Sequence, residues 1–355
     1  MARDNNRQWR LASRPTGMAT ETDFVYREEA KPTIDDGQFL VRVLYVSFDP
    51  AMRGWMTDDP GYVPPIEIGS VMRASGLGQV IESRHEEFAA GEIVAGPFGW
   101  QDYTVCDGRE PRSVQRVDPV HPLSSYLGVL GGTGLTAYFG MLDVAKPKAG
   151  DTVLVSGAAG ATGSIAAQIA KLQQCRVIGI AGGTPKCKWL TDELGLDAAI
   201  DYKSDDVDAR LGELCPKGVD VYFDNVGGSV LETVLDHMAV WGRVALCGMI
   251  SGYNAEQPPA GPRNLFLVIT RRIRMEGFLI PDYAPRFNEA RRALSAWLAS
   301  GKITAREDIQ EGFENIPSTF LRLFHGANIG KQLLKIADPP IPTRWRATAT
   351  VARDR

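Results

Sequence analysis

Gly157, Gly160 and Gly163 recur three residues apart in the stretch VSGAAGATGS. Glycines at that spacing let a phosphate approach the backbone closely. A pyrophosphate there would meet unpaired N–H groups and the positive end of a helix dipole, provided the turn opens a helix. The flanking residues supply that context. Thr152–Ser156 is a short, β-branched apolar run, Ser164–Gln173 repeats apolar residues at helical spacing, and Cys175–Ile180 is a second buried-strand run. The pattern is a βαβ unit with a dinucleotide site on its turn. The second strand then runs into Ala181-Gly182-Gly183-Thr184-Pro185-Lys186. An NAD site commonly places Asp or Glu there for the ribose 2′-hydroxyl. This chain places a hydroxyl and a cation there, and Lys186 attracts a 2′-phosphate that a carboxylate would repel. The expected cofactor is NADPH, with Lys188 as a nearby competitor for the phosphate.

The rest of the chain must hold this unit. Its 355 residues point to two domains, and 44% hydrophobic with 23% charged residues is an ordinary globular profile. A net charge of −4 favours neither nucleic acid nor an anionic membrane as partner. No apolar run approaches the ~20 residues that span a bilayer. The start MARDNNRQWR lacks the apolar core of a secretory signal, so a cytoplasmic protein is expected. Five scattered cysteines without a CxxC pair read as reduced thiols.

Up to about residue 125 the chain shows short strand candidates, Phe39–Phe48, Gly76–Ile81, Ile93–Ala95 and Asp102–Val105, between Gly, Pro and Asp clusters. That pattern predicts a small β-barrel-type domain. From Leu127 strands alternate with helices: Leu127–Leu142 mostly helical, then Lys186–Leu194, Ala198–Asp201, Val219–Phe223, Ser229–Met238, Gly242–Cys247, Arg274–Ile280 and Glu289–Ser300. This alternation predicts an α/β, doubly wound parallel sheet. A helix near Pro317–His325 and a strand at Lys331–Ile336 are expected to return to the first domain. The Pro-rich, basic residues 339–355 read as a flexible tail.

Several segments together resemble the zinc-independent medium-chain reductases, in the branch with leukotriene B4 dehydrogenase/prostaglandin reductase and the curcumin and alkenal double-bond reductases. They include RQWRLASRP, DPAMRGWM, YVPPIEIGSVM, LGGTGLTAYFGMLDVAKPKAGDTVLVSGAAGATGS, KCKWLTDELGLDAAIDYK, YFDNVGG, CGMISGYN and GANIGKQLLKI, and the resemblance runs to about Ala337. It implies a GroES-like catalytic domain from 1–126 and 312–338 around a Rossmann domain at 127–311. It also implies NADPH-dependent reduction of the carbon–carbon double bond of α,β-unsaturated aldehydes and ketones. By motif, Gly160, Ala161, Thr162 and Gly163 would contact the pyrophosphate, and Lys186 and Tyr202 the 2′-phosphate. Asn225, Cys247, Ile250, Ser251 and Tyr253 would lie along the nicotinamide ribose, with Phe278, Leu279, Ile280 and Asn328 closing the site. The branch is commonly dimeric through Rossmann edge strands, which makes Arg274–Ile280 the candidate edge of a homodimer.

Hydride attack on the β-carbon of an enone builds charge on the carbonyl oxygen, which a hydroxyl can stabilise without a metal. Tyr253 lies just past a parallel strand's C-terminal end, where ligand residues of such sheets gather. With the resemblance, it is the expected donor and possible proton source, with water as the other source and Tyr62 as a second candidate. Related sequences often read DPYMR where this chain has Ala51, which implies a larger pocket or reliance on Tyr253 alone. Zinc catalysis would need Cys, His or Glu ligands. The corresponding stretch reads Ile68-Gly69-Ser70-Val71-Met72-Arg73, and the four histidines are widely separated, so no metal is expected. The alternatives are an NADPH quinone oxidoreductase and a non-catalytic NADPH-binding regulator.

Overall fold

The computed structural model describes residues 5–59, 61–107, 114–117, 120–257 and 259–344. Along the chain, β1 (Asn5–Leu11) and β2 (Phe24–Ala30) form an antiparallel pair of their own. Next come β3 (Phe39–Ser47), β4 (Gly76–Ser83), β5 (Ile93–Gly96), β6 (Tyr103–Cys106) and β7 (Gln115–Arg116). The short helix α1 (Gly132–Phe139) leads into the second domain. There β8 (Thr152–Ser156), α2 (Ala161–Leu172), β9 (Arg176–Ala181), α3 (Thr184–Lys188), β10 (Ala198–Asp201) and α4 (Val207–Leu214) follow one another. They continue with β11 (Val219–Asp224), α5 (Gly228–His237), β12 (Met238–Leu246), α6 (Phe266–Thr270), β13 (Arg274–Gly277) and α7 (Phe287–Ala299). The chain returns through β14 (Glu307–Glu311), α8 (Ile316–Leu321) and β15 (Lys331–Lys335).

The second domain's six strands are all parallel, in the order β10-β9-β8-β11-β12-β13. This is the doubly wound Rossmann arrangement, reversing direction between β8 and β11. Its central strands are buried on both faces, which is why they read as continuous apolar runs. The other sheet runs β14-β15-β3-β4-β5-β7, with β6 also on β3. Residues of β3 are almost all buried because β15, β4 and β6 pair with it.

Several sequence expectations need correction. β14 belongs to the first sheet, paired parallel with β15, so that sheet's second segment begins at Glu307, ahead of the expected 312. Its sequence EDIQE carries one apolar residue and gave no strand signal. The strand expected over Arg274–Ile280 stops at Gly277, because its partner β12 ends opposite it at Leu246. Phe278–Ile280 turn away from the sheet. Leu127–Gly131 is a tight turn ahead of α1, since a side chain at Gly134 would strike the Val129 carbonyl. β1 and β2 were not anticipated, as NNRQWRL and FVYREEA hold few apolar residues. Of the expected flexible tail, 339–344 is tied down: Gln79 Nε2 donates to the Ile341 carbonyl at 2.9 Å and the Arg344 amide to the Gly91 carbonyl at 2.8 Å. Residues 345–355 lie outside the described residues.

Beneath this sheet Asp102, fully buried, binds two guanidinium groups. Arg7 donates through Nε (2.7 Å) and Nη2 (3.0 Å), and Arg42 through Nη1. The triad joins β1, β3 and the start of β6.

Candidate active site

The chain folds its chemistry-bearing residues around one cleft between the two domains, of about 1810 Å³. Pockets for single drug-sized molecules are roughly 300–1,000 Å³, so this one has room for a dinucleotide and a second reactant. Every site residue expected from the sequence lines it: Tyr62 and Tyr253, Gly160 to Gly163, Lys186, Tyr202, Asn225, Cys247, Ile250, Ser251, Phe278 to Ile280, and Asn328. Ala51 also lines it, on the helical turn Pro50–Met56.

Gly160 caps α2, and a Cβ on Gly163 would stand 2.3 Å from the Gly157 carbonyl oxygen. Only a glycine lets α2 begin so close to the turn. The Gly330 amide donates to the Ala159 carbonyl at 2.8 Å, which ties the first domain's return strand to the turn. Asn328, in the same segment, donates from Nδ2 to the Gly330 carbonyl at 2.9 Å.

At the far end of the turn Lys186 Nζ reaches across the cleft to the Gly326 carbonyl at 2.8 Å. Burial, with the Lys203 charge, lowers its pKa. No side chain among the described residues forms an ion pair with it. The Tyr202 ring lies over Gly182, where a Cβ would come within 2.7 Å of it. The acid that closes β10, Asp201, is occupied: its Oδ1 accepts from the Gly183 amide (2.7 Å) and the Lys203 amide (3.1 Å). An under-satisfied ammonium beside a phenol and a backbone turn is what a ribose 2′-phosphate requires.

The sequence reasoning passed over Asp224, which organises the switch point. Fully buried at the end of β11, its Oδ1 accepts from Ser156 Oγ (2.8 Å), Tyr222 OH (2.6 Å) and the Val226 amide (2.9 Å). Its carbonyl takes the Cys247 and Gly248 amides at 2.8 and 3.1 Å. Asn225 Nδ2 donates to the Ser156 carbonyl at 2.7 Å. These bonds lock the ends of β8, β11 and β12 together. The available signal was an acid closing a buried strand, in YFDNVGG.

Past β12, burial pushes the Cys247 thiol up to about 12, so it is a neutral wall and not a nucleophile. Tyr253 turns back over Gly248, and its hydroxyl accepts the Met249 amide at 3.2 Å. An accepting phenol still has its own hydrogen to donate. Burial raises its pKa, with Cys247 and Tyr62 adding to the rise. Tyr62 is 54% exposed on the facing loop. Asn254 pins the Tyr253 loop to the first domain, its Oδ1 accepting from Arg53 Nε at 3.0 Å. Arg53 is itself buried and bonds the Pro15 and Gly17 carbonyls at 3.0 and 2.8 Å. Sequence reading missed this interdomain tie, which has no local pattern. The Phe278 ring packs where Gly140 has no side chain.

Among the described residues no group of three or more His, Cys, Asp or Glu side chains is placed to hold a metal ion. His121 bonds Ser295 and His237 bonds Asp208. The donors around the cleft instead fit a dinucleotide carrying a 2′-phosphate.

Comparison with known proteins agrees with this geometry. Residues 7–114 match the family described as N-terminal domain of oxidoreductase, and residues 161–299 the family described as zinc-binding dehydrogenase. The chain is 43% identical to the NADPH-dependent curcumin reductase of Escherichia coli (strain K12) over 340 residues, 94% of this chain and 98% of that protein. It is 39% identical to the NADP(+)-dependent 2-alkenal reductase of Nicotiana tabacum, covering 94% of this chain and 98% of that one. The crystal structure of CurA in complex with NADPH from Vibrio vulnificus superimposes with a TM-score of 0.89 at 43% identity, over 94% of this chain and 100% of that chain.

Proposed function

The chain belongs to the zinc-independent medium-chain dehydrogenase/reductase family, in the branch of curcumin and alkenal double-bond reductases, and from that premise we propose how it works as an NADPH-dependent enone reductase. It reduces the carbon–carbon double bond of α,β-unsaturated aldehydes and ketones. When bound, the dihydronicotinamide supplies the hydride for the β-carbon. The protein's part is to bind, orient and stabilise charge.

In this reading Gly160, Ala161, Thr162 and Gly163 take the pyrophosphate. Lys186 and Tyr202 take the 2′-phosphate. Asn225, Cys247, Ile250, Ser251 and Tyr253 lie along the ribose, with Phe278, Leu279, Ile280 and Asn328 closing the site. Tyr253 donates to the substrate's carbonyl oxygen as negative charge gathers there, and Tyr62 stands as a second donor from the facing loop. The proton for the α-carbon comes from Tyr253 or from water. One observation carries the reading: the glycine turn, the Lys186 ammonium, which has no ion pair among the described residues, and the protonated Tyr253 converge on one cleft.

The test is consumption of NADPH against 2-alkenals, benzalacetone and curcumin, with the saturated product identified. Turnover of quinones alone, or cofactor binding with no turnover, would refute it. Lys186→Ala is expected to lower kcat/KM for NADPH by about 10- to 100-fold, the worth of charge-assisted bonds to a phosphate. The NADH value should hold steady, and Lys188→Ala should leave the NADPH preference intact. An unchanged preference in the Lys186 variant would exclude it as the phosphate ligand.

The working assembly in this proposal is a cytoplasmic homodimer. β13 is the edge of its sheet, and Phe266 (71% exposed) and Ile269 (70%), shortly before it in the chain, with Trp241 (68%) on the neighbouring β12, leave apolar surface in solvent. An edge strand flanked by such a surface favours pairing with a second copy. Ile269→Glu is expected to shift the sedimentation of the protein to that of a monomer. A wild-type protein that sediments as a monomer would exclude the dimer.

A further inference from the structure

β15 pairs with β3 as far as Leu333 opposite Ser47. One further backbone bond follows, from the Phe48 amide to the Gln332 carbonyl at 3.2 Å. At the next step of that register Lys331 stands opposite Asp49, and side chains take over from the backbone. Lys331 Nζ donates to the Phe48 carbonyl at 3.0 Å and to Asp49 Oδ1. The Lys331 side chain is 3% exposed and that of Asp49 31%, and both residues line the cleft. Glu307 is the register partner of Lys331 on β14, yet it is held by Ser124 and Ser125.

Each partner stands beside a segment that shapes the site. Asp49 precedes the helical turn Pro50–Met56, at a position where an aspartate ordinarily accepts a turn amide. Its side chain caps nothing there, and its oxygens take Lys331 and, at 3.3 Å, Ser47 Oγ. On that turn Ala51 and Trp55 line the cleft, and Arg53 Nε holds Asn254, the neighbour of Tyr253, at 3.0 Å. Lys331 follows Gly330, whose amide holds the Ala159 carbonyl of the glycine turn at 2.8 Å. The ammonium therefore joins the segment that braces the glycine turn to the wall that carries Ala51. An apolar pair of similar volume would often stabilise a fold as well. Directed, charge-assisted bonds do more, because they fix two segments at one separation.

We propose that Lys331 is a positioning residue for hydride transfer, acting through Asp49 to set the separation between the glycine turn and the cleft wall from Asp49 to Met56. In this role it touches neither reacting atom. Its effect on rate is indirect and large, since misplacing a reactant by about 1 Å costs roughly 100-fold. The inference rests on the enone-reductase reading and adds to it the element that holds cofactor and substrate in register.

The test follows reduction of benzalacetone by Lys331→Met. Its kcat is expected to fall by about 10- to 100-fold, while NADPH affinity, read by nucleotide fluorescence, stays within about twofold of wild type. The slowed step should be hydride transfer itself, so NADPH dideuterated at C4 should give a full primary isotope effect in the variant. Lys331→Arg keeps the charge and the donors and should recover part of the rate. Lys331→Met combined with Asp49→Leu removes both charges, so its urea midpoint should return toward wild type while the rate stays low. A kcat for Lys331→Met within about twofold of wild type, an isotope effect near unity, or a double variant with wild-type rate would overturn the inference and leave enone reduction standing. Weakened NADPH binding that accounts for the loss would assign Lys331 to the cofactor and overturn it likewise. No turnover of benzalacetone by the wild-type protein would overturn the enone reading and this inference together.

Discussion

Tyr253→Phe is expected to lower kcat for enones by about 10²- to 10³-fold, the usual loss when one donor to a developing oxyanion is removed. NADPH affinity should change little, because the aromatic ring on the cleft wall is retained and only its hydroxyl is lost. The Met249 amide already fills an acceptor position on the hydroxyl, so its own hydrogen is free for the substrate. The pH profile separates this role from packing. Burial raises the Tyr253 pKa above its ordinary value of 10.0, so the donating, protonated form persists across neutral pH. Activity limited by this group should fall only above that ordinary value, and the Phe variant should lack that falling limb. A limb at lower pH, or a variant within a few-fold of wild type, would remove Tyr253 from the chemistry and turn attention to Tyr62.

Asp102→Asn should cost about 3–5 kcal/mol of stability, since it leaves Arg7 and Arg42 buried without their shared counter-charge. Burial alone would push the Asp102 carboxyl up, but the Arg7 hydrogen bonds and the Arg42 charge outweigh it and hold the pKa below 3.8. The sign follows from linkage: a carboxyl depressed in the folded state stabilises fully above its unfolded value. That stabilisation is lost as the pH falls through the folded value. Wild-type protein should therefore lose stability below about pH 4, and the Asn variant should lack this component. Urea unfolding followed by tryptophan fluorescence is well placed to see it, because Trp100 is fully buried in the same domain. A midpoint shift worth less than about 1 kcal/mol would mean that the pair of arginines finds other partners.

The sequence by itself determined the Rossmann sheet, the glycine turn and the cation at the end of β9. These are local: a strand buried on both faces must be a continuous apolar run, and a helix start that touches a phosphate must be glycine-rich. The Tyr253 loop was legible because it follows a parallel strand's C-terminal end. Tertiary structure alone decided what depends on distant partners. β14 is polar and became a strand only because β15 offered it a hydrogen-bonding edge. β13 stopped at Gly277 because β12 ran out. Asp224 shows in the sequence only as an acid closing a buried strand; its partners, like the Arg53–Asn254 tie, depend on which groups the fold brings within hydrogen-bond reach. Residue type and spacing record the backbone's needs. Whether a buried charge finds a partner is settled only when the chain closes on itself.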